Sequence, residues 1–525
     1  MSIISLQFLF FVLGVILLYF IIPKKWQWIV LFIANILFYV SFGVKYIGYI
    51  LFTSIVTYWA ALKLEVVSNE SKKAIAAADS ASKKSVREIF LSLKSRICKS
   101  AIILSVGIWI VVKYGNFIID NVNALIKLLH LSWSVEHLSF IIPLGMSFYT
   151  FHAVGYLMDV YRYKYPAEKN FAKYFTFVCY FPHLLQGPFS RFDGLGKSIF
   201  EEHSFSYDRL CDGCAQIVWG FFKKVVVADQ LGIAVTAIFN HYTSYTGTHI
   251  FMSMIFYCIQ LYADFSGYMD IMCGISHILG IRLSENFEQP YFARTIDDFW
   301  RRWHITLGRW FRDYVFYPVS MGKFAQQIGR SARQKWGPKM GKLVPGYYAL
   351  IFVWTATGLW HGASWTFLIW GWLNLLVIMS TMQLDDWYTK VTSKLHINDQ
   401  GKPWILFCVL RTFMLVCFFR FFSTADNMAK LIAMLKHAVN HLSLKVLLSL
   451  KLFAGMKEES VIAVLIGIFL IFVVDLLKEN NRWESVKAKC PMIIRNAAYT
   501  FLIITTILFL AGGNELTKGF MYANF

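Results

Sequence analysis

The sequence predicts an all-α polytopic membrane protein with about 11–12 transmembrane helices, together with re-entrant and interfacial helices. Of its 525 residues, 57% are hydrophobic and 16% are charged, against about 45–50% and about 25% in soluble proteins. Apolar runs of about 17 to 25 residues recur along the chain, which is the length that crosses a hydrocarbon core of roughly 30 Å. This composition excludes a string of soluble domains.

The charge balance also favours a membrane protein. The chain carries 51 Lys and Arg against 31 Asp and Glu, a net charge of +20. In a soluble protein this excess would indicate nucleic-acid binding, but here the basic residues stand mainly between apolar runs, as the positive-inside rule describes. We therefore expect a lipid bilayer around the protein and no nucleic-acid partner.

The beginning of the chain predicts a retained first helix with the N-terminus outside. Residues 1–22 carry no charge, and Lys24 and Lys25 follow them. A secretory signal has its positive charges before the apolar stretch, so this order does not fit one. The later predicted crossings are 26–44, 46–62, 101–118, 137–158, 213–238, 249–275, two within 346–382, 404–422, 460–477 and 496–512.

Three other segments have their own predictions. Segment 63–100, with nine Lys and Arg against four Asp and Glu, is predicted to be a cytoplasmic loop, partly disordered or forming an exposed helix over 71–86. Pro182, Gly187 and Pro188 interrupt the aromatic run 172–189, which indicates a re-entrant segment sheltered by protein. Segment 279–345 alternates aromatic and basic residues, which is typical of short amphipathic helices at the headgroup level on the cytoplasmic side.

The sharpest candidate for chemistry is His361, in the middle of the run 346–382. No Asp, Glu, Lys or Arg lies between Leu343 and Asp385, and ionisable groups at membrane depth are functional candidates. A neutral imidazole in a dry cavity can act as a general base. The alternative is a core histidine hydrogen-bonded to a neighbouring helix, and the residues alone favour neither. Gly358 and Gly362 would allow another backbone or a slender substrate to approach.

A second candidate is His304, at the edge of the membrane in the aromatic and basic segment. Arg301 and Arg302 could meet the phosphates of a donor, because guanidinium groups match phosphate geometry. Anchoring to lipid headgroups explains the same arginines and is the more common reason for a basic interfacial helix. A third candidate is the pair Asp264 and Asp270, as a proton relay or as partners of Arg or Lys from the cytoplasmic segment. His152, His183, Lys223 and Lys224 are treated as structural or pathway residues.

Several short motifs surround these residues. In order, they are 143–151 (PLGMSFYTF), 186–188 (QGP), 264–268 (DFSGY), 286–287 (NF), 290–291 (PY), 298–304 (DFWRRWH) and 358–362 (GLWHG). Together these motifs resemble those of the membrane-bound O-acyltransferases, and in particular the branch that contains the alginate O-acetyltransferase membrane subunit. The run 520–525 closes the chain in a similar way, although His152 stands where a glutamine is expected.

The resemblance implies a single acyltransferase domain over 1–525, with helices around a central tunnel. Its parts are N-terminal helices in 1–136, a core with both histidine motifs in 137–382, and C-terminal helices in 383–525. It also implies that His361 is the essential catalytic residue and that His304 supports it. The residues expected to bind the donor or support the histidines are Arg301, Arg302, Trp303, Trp360, Asp298, Asn286 and Asp264.

For function, the resemblance implies transfer of an acetyl group from a cytoplasmic thioester, acetyl-coenzyme A or a carrier-bound acyl group, in the bacterial plasma membrane. No bound cofactor is expected, and no ligand spacing suggests a metal. The expected partner is an extracytoplasmic acyltransferase that modifies an exopolysaccharide such as alginate. The alternatives are D-alanyl transfer to teichoic acid and a transporter for polysaccharide or lipid-linked sugar. A structural scaffold is the weakest reading, because of the intramembrane ionisable residues.

Overall fold

The computed structural model describes residues 1–140 and 143–511. Every regular element in those ranges is a helix, and extended backbone pairs only in one isolated bridge between Phe287 and Trp303. The all-α prediction is confirmed. The closing run 520–525, which contributed to the family resemblance, lies outside the described residues.

The chain divides into two compact units. The first comprises Met1–Cys214 and Met272–Ser284, and the second comprises Ala215–Ile271 and residues 285–511. The helices of the first unit are α1 (Leu6–Ile21), α2 (Gln27–Val40), α3 (Ile47–Ala77), α4 (Lys83–Leu128), α5 (Met146–Tyr161), α6 (Phe171–Val178), α7 (Phe181–Leu184), α8 (Lys197–Phe200) and α9 (Tyr207–Phe222). Helix α9 continues into the second unit.

The second unit contains the remaining helices and both of the predicted functional histidines. One of these helices, α11, runs back into the first unit at its C-terminal end. They are α10 (Asp229–Asn240), α11 (Gly247–Ile278), α12 (Ile296–Arg302), α13 (Ile305–Phe311), α14 (Tyr317–Ser320), α15 (Lys323–His361), α16 (Trp365–Lys394), α17 (Lys402–Phe421), α18 (Met428–Asn440), α19 (Glu458–Glu479), α20 (Trp483–Lys489) and α21 (Met492–Ala511).

Within the described residues, eight helices are long and apolar enough to cross a membrane: α3, α4, α11, α15, α16, α17, α19 and α21. The chain is therefore an all-α polytopic membrane protein. The four other predicted crossings coincide with the shorter helices α1, α2 and α5 and with the interrupted helix formed by α9 and α10. The prediction of 11–12 crossings exceeds this count and stays a prediction.

Segment 63–100 is not an irregular loop, and its predicted position on the cytoplasmic side stays a prediction. Helix α3 continues to Ala77, and α4 begins at Lys83, so the segment is mostly helical on both sides of a short turn. The charged residues mark where the chain leaves the apolar phase, but they are good helix formers and the backbone stays helical beyond it. Of the two forms predicted for 71–86, the helical one is present in two pieces, with the turn between Ala77 and Lys83.

The interruption of the run 172–189 is confirmed. Helix α6 ends at Val178 and α7 covers only Phe181–Leu184. Residues 181–190 are buried although their backbone is largely irregular. Irregular backbone of this kind is tolerated at membrane depth only where protein shelters its polar groups, which agrees with the predicted re-entrant segment.

Segment 279–345 is helical in short pieces, as predicted up to residue 320. Helices α12, α13 and α14 cover 296–320 with a π-helical turn over Arg312–Phe316. The side chain of Thr295 starts α12 by accepting a hydrogen bond from the backbone of Asp298 at 3.0 Å, a standard N-cap. The last part of the segment, from Lys323, already belongs to α15, which bends at Gly337 where φ is +88°.

Helices α15 and α16 form the hairpin predicted within 346–382, with the connection at residues 362–364. A Cβ atom at Gly371 would lie 2.6 Å from the carbonyl oxygen of Trp354, and one at Gly358 would lie 2.7 Å from that of Phe367. Small residues let helix backbones approach closely in membranes. Gly358 therefore admits a neighbouring backbone, the first of the two possibilities considered for it.

Gly371→Ala is expected to lower the free energy of unfolding by about 1–3 kcal/mol, the usual cost of overpacking. The added methyl would press on the carbonyl of Trp354, and this backbone atom cannot move aside as a flexible side chain could. Thermal stability of the detergent-solubilised protein measures the effect. The matched control is Gly107→Ala in α4, where a Cβ would meet nothing within 4 Å. Equal thermal midpoints for the two variants would contradict this packing.

Candidate functional site

His304 is fixed by a short pairing of two irregular segments in the second unit. The isolated bridge joins Phe287 and Trp303, and the backbone N–H of Ile305 donates to the carbonyl of Asn286 at 3.0 Å. His304 itself has a left-handed backbone, with φ 48° and ψ 51°, just before α13. Such a conformation is uncommon for a residue with a Cβ and clusters at functional sites.

The side chain of Asn286 sets the tautomer of His304. The amide oxygen of Asn286 accepts hydrogen bonds from the backbone N–H and the hydroxyl of Thr306, at 3.1 and 2.9 Å, and lies 3.1 Å from Nδ1 of His304. A backbone N–H can only donate, which identifies this atom as the oxygen. Nδ1 of His304 must therefore carry the proton, and Nε2 carries a lone pair.

His304 is neutral at physiological pH. It is buried to 2% exposure and lies outside the eight apolar helices. Burial, together with the positive charge of Arg420, lowers the pKa of His304 to about 3. A neutral ring protonated at Nδ1 accepts hydrogen bonds at Nε2 and donates none there. This geometry fits orienting a substrate hydroxyl and does not fit hydrogen bonding to an oxyanion.

His361 ends α15 and is surrounded by aromatic rings. Its side chain is 3% exposed. Its ring centroid lies 4.8 Å from those of Trp360 and Trp370, both edge to face, and 6.4 Å from that of Phe367, which is nearly parallel. An enclosure of this kind holds the imidazole in a region of low polarity, where it does not compete with bulk water for protons.

The two histidine motifs meet at Trp360. The indole of Trp360 lies 5.9 Å from the ring of His304 and 4.8 Å from the ring of His361. Trp303, also expected to support the site, is fully buried and packs against Phe287 and Phe299. Residues far apart in sequence are thus assembled into one aromatic cluster within the second unit.

The predicted donor arginines differ in their surroundings. Arg301 is 75% exposed and pairs with Asp297 at 2.5 Å, one turn earlier on α12. Arg302 bonds Asp298 at 3.0 Å and Glu479 at 2.6 Å. Because two carboxylates already hold its guanidinium, Arg302 serves to tie α12 to α19 and is a poor candidate for binding phosphate. Asp298 likewise acts within this ion pair and caps the start of α12 through the backbone of Arg294.

Asp264 belongs to a separate buried ionic network. Its carboxylate lies 2.7 Å from Nζ of Lys224, which also lies 2.6 Å from Asp229. Lys223 bonds Asp270 at 2.6 Å in the same way. Both lysines stand on a π-helical turn over Lys223–Ala228 between α9 and α10. The pairing expected for the two aspartates is therefore present, but with lysines of a neighbouring helix and not with the cytoplasmic segment.

Sequence reasoning missed Arg420, Trp370 and Asn374. The guanidinium carbon of Arg420 lies over the rings of Trp300, Trp303 and Trp370, at 5.4, 5.1 and 4.9 Å. Asn374 accepts a hydrogen bond from the indole N–H of Trp300 at 2.9 Å. The one available signal was an arginine inside the run CFFRFF near the end of a predicted crossing, which can equally be read as an interfacial anchor.

His152 and His183 lie together in the first unit. Their rings stack at 3.9 Å, and Nε2 of His152 accepts a hydrogen bond from the backbone of Ser190 at 3.2 Å. Nδ1 of His152 then donates to the carbonyl of Phe148 at 2.8 Å. His152 therefore holds the irregular segment after α7, a structural role. Among residues 1–140 and 143–511, no group of three or more His, Cys, Asp or Glu side chains is arranged to hold a metal ion.

Comparison with known proteins identifies the family of this chain. The sequence profile of the MBOAT, membrane-bound O-acyltransferase family matches residues 167–331, a range that includes His304 and ends before His361. The chain is 32% identical to the probable alginate O-acetylase AlgI of Pseudomonas putida over 370 residues, covering 69% of this chain and 67% of that protein. The chain belongs to the membrane-bound O-acyltransferase family.

Relatives with other substrates are also similar to this family member. The peptidoglycan O-acetyltransferase of Helicobacter pylori is 29% identical over 79% of this chain and 74% of its own length. The teichoic acid D-alanyltransferase of Bacillus subtilis is 28% identical over 52% of this chain and 67% of its own length. Four more probable alginate O-acetylases match this chain, one from Azotobacter vinelandii and three from Pseudomonas species. The match covers 62–65% of their length, slightly less than two thirds.

The contact between Asn286 and His304 predicts the pH dependence of this acyltransferase-family site. In Asn286→Asp, a carboxylate would accept the Nδ1 proton and raise the pKa of His304, because an opposite charge favours the imidazolium form. His304 would then be protonated at Nε2 as the pH falls, and the activity should decline on the acid side. The wild type, with a pKa of about 3 for His304, should show no loss from this group between about pH 5 and 8.

The measurement is the initial rate of acyl transfer as a function of pH for both proteins. Asn427→Asp serves as the control, since Asn427 caps α18 by accepting a hydrogen bond from the backbone of Lys430, and aspartate caps a helix in the same way. An acid limb that appears in Asn286→Asp alone supports the assignment. Identical profiles for the wild type and Asn286→Asp would show that the two side chains are not coupled.

Proposed function

We propose that the protein is an O-acyltransferase that moves an acetyl group from a cytoplasmic thioester across the membrane for O-acetylation of an extracytoplasmic polysaccharide. The observation that carries this proposal is the meeting of two buried histidines, His304 and His361, on the indole of Trp360. Family membership supports the reaction class. One relative is named as an alginate O-acetylase and another as a peptidoglycan O-acetyltransferase. These names support acetyl as the transferred group and a glycan polymer as the acceptor.

His361 is the proposed general base. Its neutral imidazole takes the proton from the acceptor hydroxyl while the hydroxyl oxygen attacks the thioester carbonyl. Collapse of the tetrahedral intermediate breaks the C–S bond, and the thiolate leaves with the proton returned by the imidazolium. A positioned base typically contributes 10²–10⁴-fold to the rate. The rings of Trp360, Trp370 and Phe367 exclude water from His361, which favours transfer over hydrolysis of the thioester.

His304 is the proposed positioning residue for the acceptor. Because Asn286 holds it protonated at Nδ1, its Nε2 accepts a hydrogen bond from a hydroxyl group and thereby orients that oxygen. Orientation of this kind contributes by holding the reactants in the attacking geometry. The left-handed backbone of His304 is strained, and this conformation directs its ring into the aromatic cluster.

For the donor, the exposed Arg301 is the proposed contact for phosphate groups on the cytoplasmic side, whether acetyl-coenzyme A or a carrier-bound acyl group is used. Arg302 supports this surface through its ion pairs with Asp298 and Glu479. No bound cofactor takes part in the proposed reaction. An extracytoplasmic acyltransferase that modifies the polymer is the proposed partner, in a bacterial plasma membrane with the N-terminus outside.

The experiment that tests the function is a mass-spectrometric inventory of ester groups on extracellular and wall polymers. Cells carrying the wild type are compared with cells carrying His361→Ala at matched protein levels. Loss of acetyl esters from a glycan is the expected result and names the polymer. Loss of D-alanyl esters from teichoic acid would replace the acetyl group with the substrate named for the Bacillus subtilis relative. Unchanged esters with polymer retained inside the cell would favour a transporter.

A further inference from the structure

Arg420 is a buried cation that the mechanism above does not use. It lies near the end of α17 with an exposure of 4%. Its guanidinium faces the indole rings of Trp300, Trp303 and Trp370 at 4.9–5.4 Å. A guanidinium group remains protonated under all physiological conditions, so a full positive charge is held inside the aromatic cluster.

No carboxylate balances this charge within residues 1–140 and 143–511. Arg420 forms no ion pair with a described residue, and its Nη2 has no hydrogen-bond partner among them. The arginines of α12 differ, since Arg301 and Arg302 both have acidic partners. Three tryptophan faces attract a cation, but this attraction is weaker than the cost of taking a guanidinium out of water.

Arg420 is connected to His361 through a shared neighbour, Trp370, and acts on His304 through its charge. Trp370 contacts the ring of His361 at 4.8 Å and lies 4.9 Å from the guanidinium carbon of Arg420. The positive charge of Arg420 also acts on His304, where it adds to the effect of burial on the pKa. The cation therefore belongs to the same aromatic cluster as His304 and His361, in which the reacting groups would be held.

The proposed reaction needs a group that stabilises negative charge there. When the acceptor oxygen bonds to the thioester carbon and His361 takes its proton, the carbonyl electron pair moves onto oxygen. His304 cannot donate to that oxygen, because its one proton is on Nδ1 and bonded to Asn286. Preorganised donors aimed at a developing oxyanion in a dry site are usually the largest single contribution to catalysis.

We propose that Arg420 is the catalytic residue that stabilises the oxyanion formed on the thioester carbonyl. This inference rests on the proposed acyl transfer and adds its electrophilic component. The guanidinium donates to the carbonyl oxygen as the C–O bond to the acceptor forms. It releases that oxygen when the carbonyl re-forms and the C–S bond breaks. The charge on Arg420 is unchanged throughout, and the proton passes from hydroxyl to His361 to thiolate.

The test compares Arg420→Met with wild type in proteoliposomes, with acetyl-coenzyme A as donor and a total envelope extract as acceptor. Loss of one oxyanion donor is expected to lower kcat about 10²–10³-fold, with KM for the donor changed less than about threefold, because the lost interaction exists only in the transition state. The thermal midpoint should not fall, since an apolar side chain of similar length replaces an uncompensated charge. Guanidinium chloride should partly restore Arg420→Ala but not His361→Ala.

The matched control is Arg411→Met, on the same helix, whose guanidinium donates to the carbonyl of Arg294 and touches Phe407. It should keep wild-type kcat. A kcat for Arg420→Met within about threefold of wild type would overturn the proposal, and so would a raised KM at unchanged kcat, which is the signature of ground-state binding.

A further variant keeps the proposal testable if Arg420→Met does not fold. Arg420→Lys retains the charge but lacks the forked donors, and its kcat should fall at least about tenfold at an unchanged thermal midpoint. An unchanged kcat for Arg420→Lys would overturn the proposal. If His361→Ala retains activity, the proposed function itself fails. If His361→Ala is inactive while the Arg420 variants are normal, only the role of Arg420 fails.

Discussion

His361→Gln is expected to lower the rate of acyl transfer by about 10²–10⁴-fold, the usual contribution of a positioned general base. Glutamine retains a similar size and can still donate a hydrogen bond, but it cannot take the proton from the acceptor hydroxyl. Because His361 is surrounded by Trp360, Trp370 and Phe367, no bulk water is available to replace it as the base. The initial rate of thiol release from acetyl-coenzyme A in proteoliposomes measures the effect.

His137→Gln is the matched control for this substitution. His137 is exposed and forms a hydrogen bond with Asp120 at 2.7 Å, and it has no part in the proposed reaction. This variant should transfer acetyl groups at the wild-type rate. If His361→Gln remained within about tenfold of the wild type with normal expression and stability, another group would have to be the base.

Lys224→Met is expected to cost about 3–5 kcal/mol in the free energy of unfolding, as for other buried ion pairs broken on one side. The substitution would leave the carboxylates of Asp229 and Asp264, 8% and 1% exposed, next to each other without the cation between them. The π-helical turn that carries Lys224 would lose its ionic link to α10 and one of its two links to α11, since Lys223 would still pair with Asp270. Titration of the purified protein with SDS measures the unfolding free energy.

Removing the whole charged group is the control for this experiment. In the triple variant Lys224→Met, Asp229→Asn and Asp264→Asn, no uncompensated charge remains, and most of the lost stability should return. An equal loss of unfolding free energy in the single and triple variants would show that the stability comes from packing of the lysine stem and not from charge balance. A loss below about 1 kcal/mol in Lys224→Met would contradict the ionic network.

The membrane-embedded part of the fold was readable from sequence because it depends on local composition. The hairpin of α15 and α16 and its connection at residues 362–364 follow from a long apolar run interrupted by glycines. Hydropathy, however, reports only where the chain is apolar. It could not show that α3 and α4 remain helical through the charged segment 63–100, because Lys, Arg, Glu and Ala favour helix in water as well.

The candidate site could be predicted from the sequence only in part, because it depends on contacts between distant segments. His361 and His304 stand out as histidines in aromatic surroundings, and the resemblance to known acyltransferases assigned them roles. The tautomer of His304 depends on Asn286, 18 residues away along the chain. Arg420 is recognised only when Trp300 and Trp370 are seen on its faces. Contacts between distant segments of this kind have no signature in one sequence.

The central claim is that acyl transfer from a thioester to a hydroxyl takes place at His361. The most direct test uses sealed proteoliposomes. Radiolabelled acetyl-coenzyme A is placed on one side of the membrane, and envelope extract containing the polymer and any partner acyltransferase is placed on the other. The account predicts ester-linked label on the far side with the wild type and background levels with His361→Gln. Equal label with both proteins, or none with a folded wild type and complete extract, would contradict it.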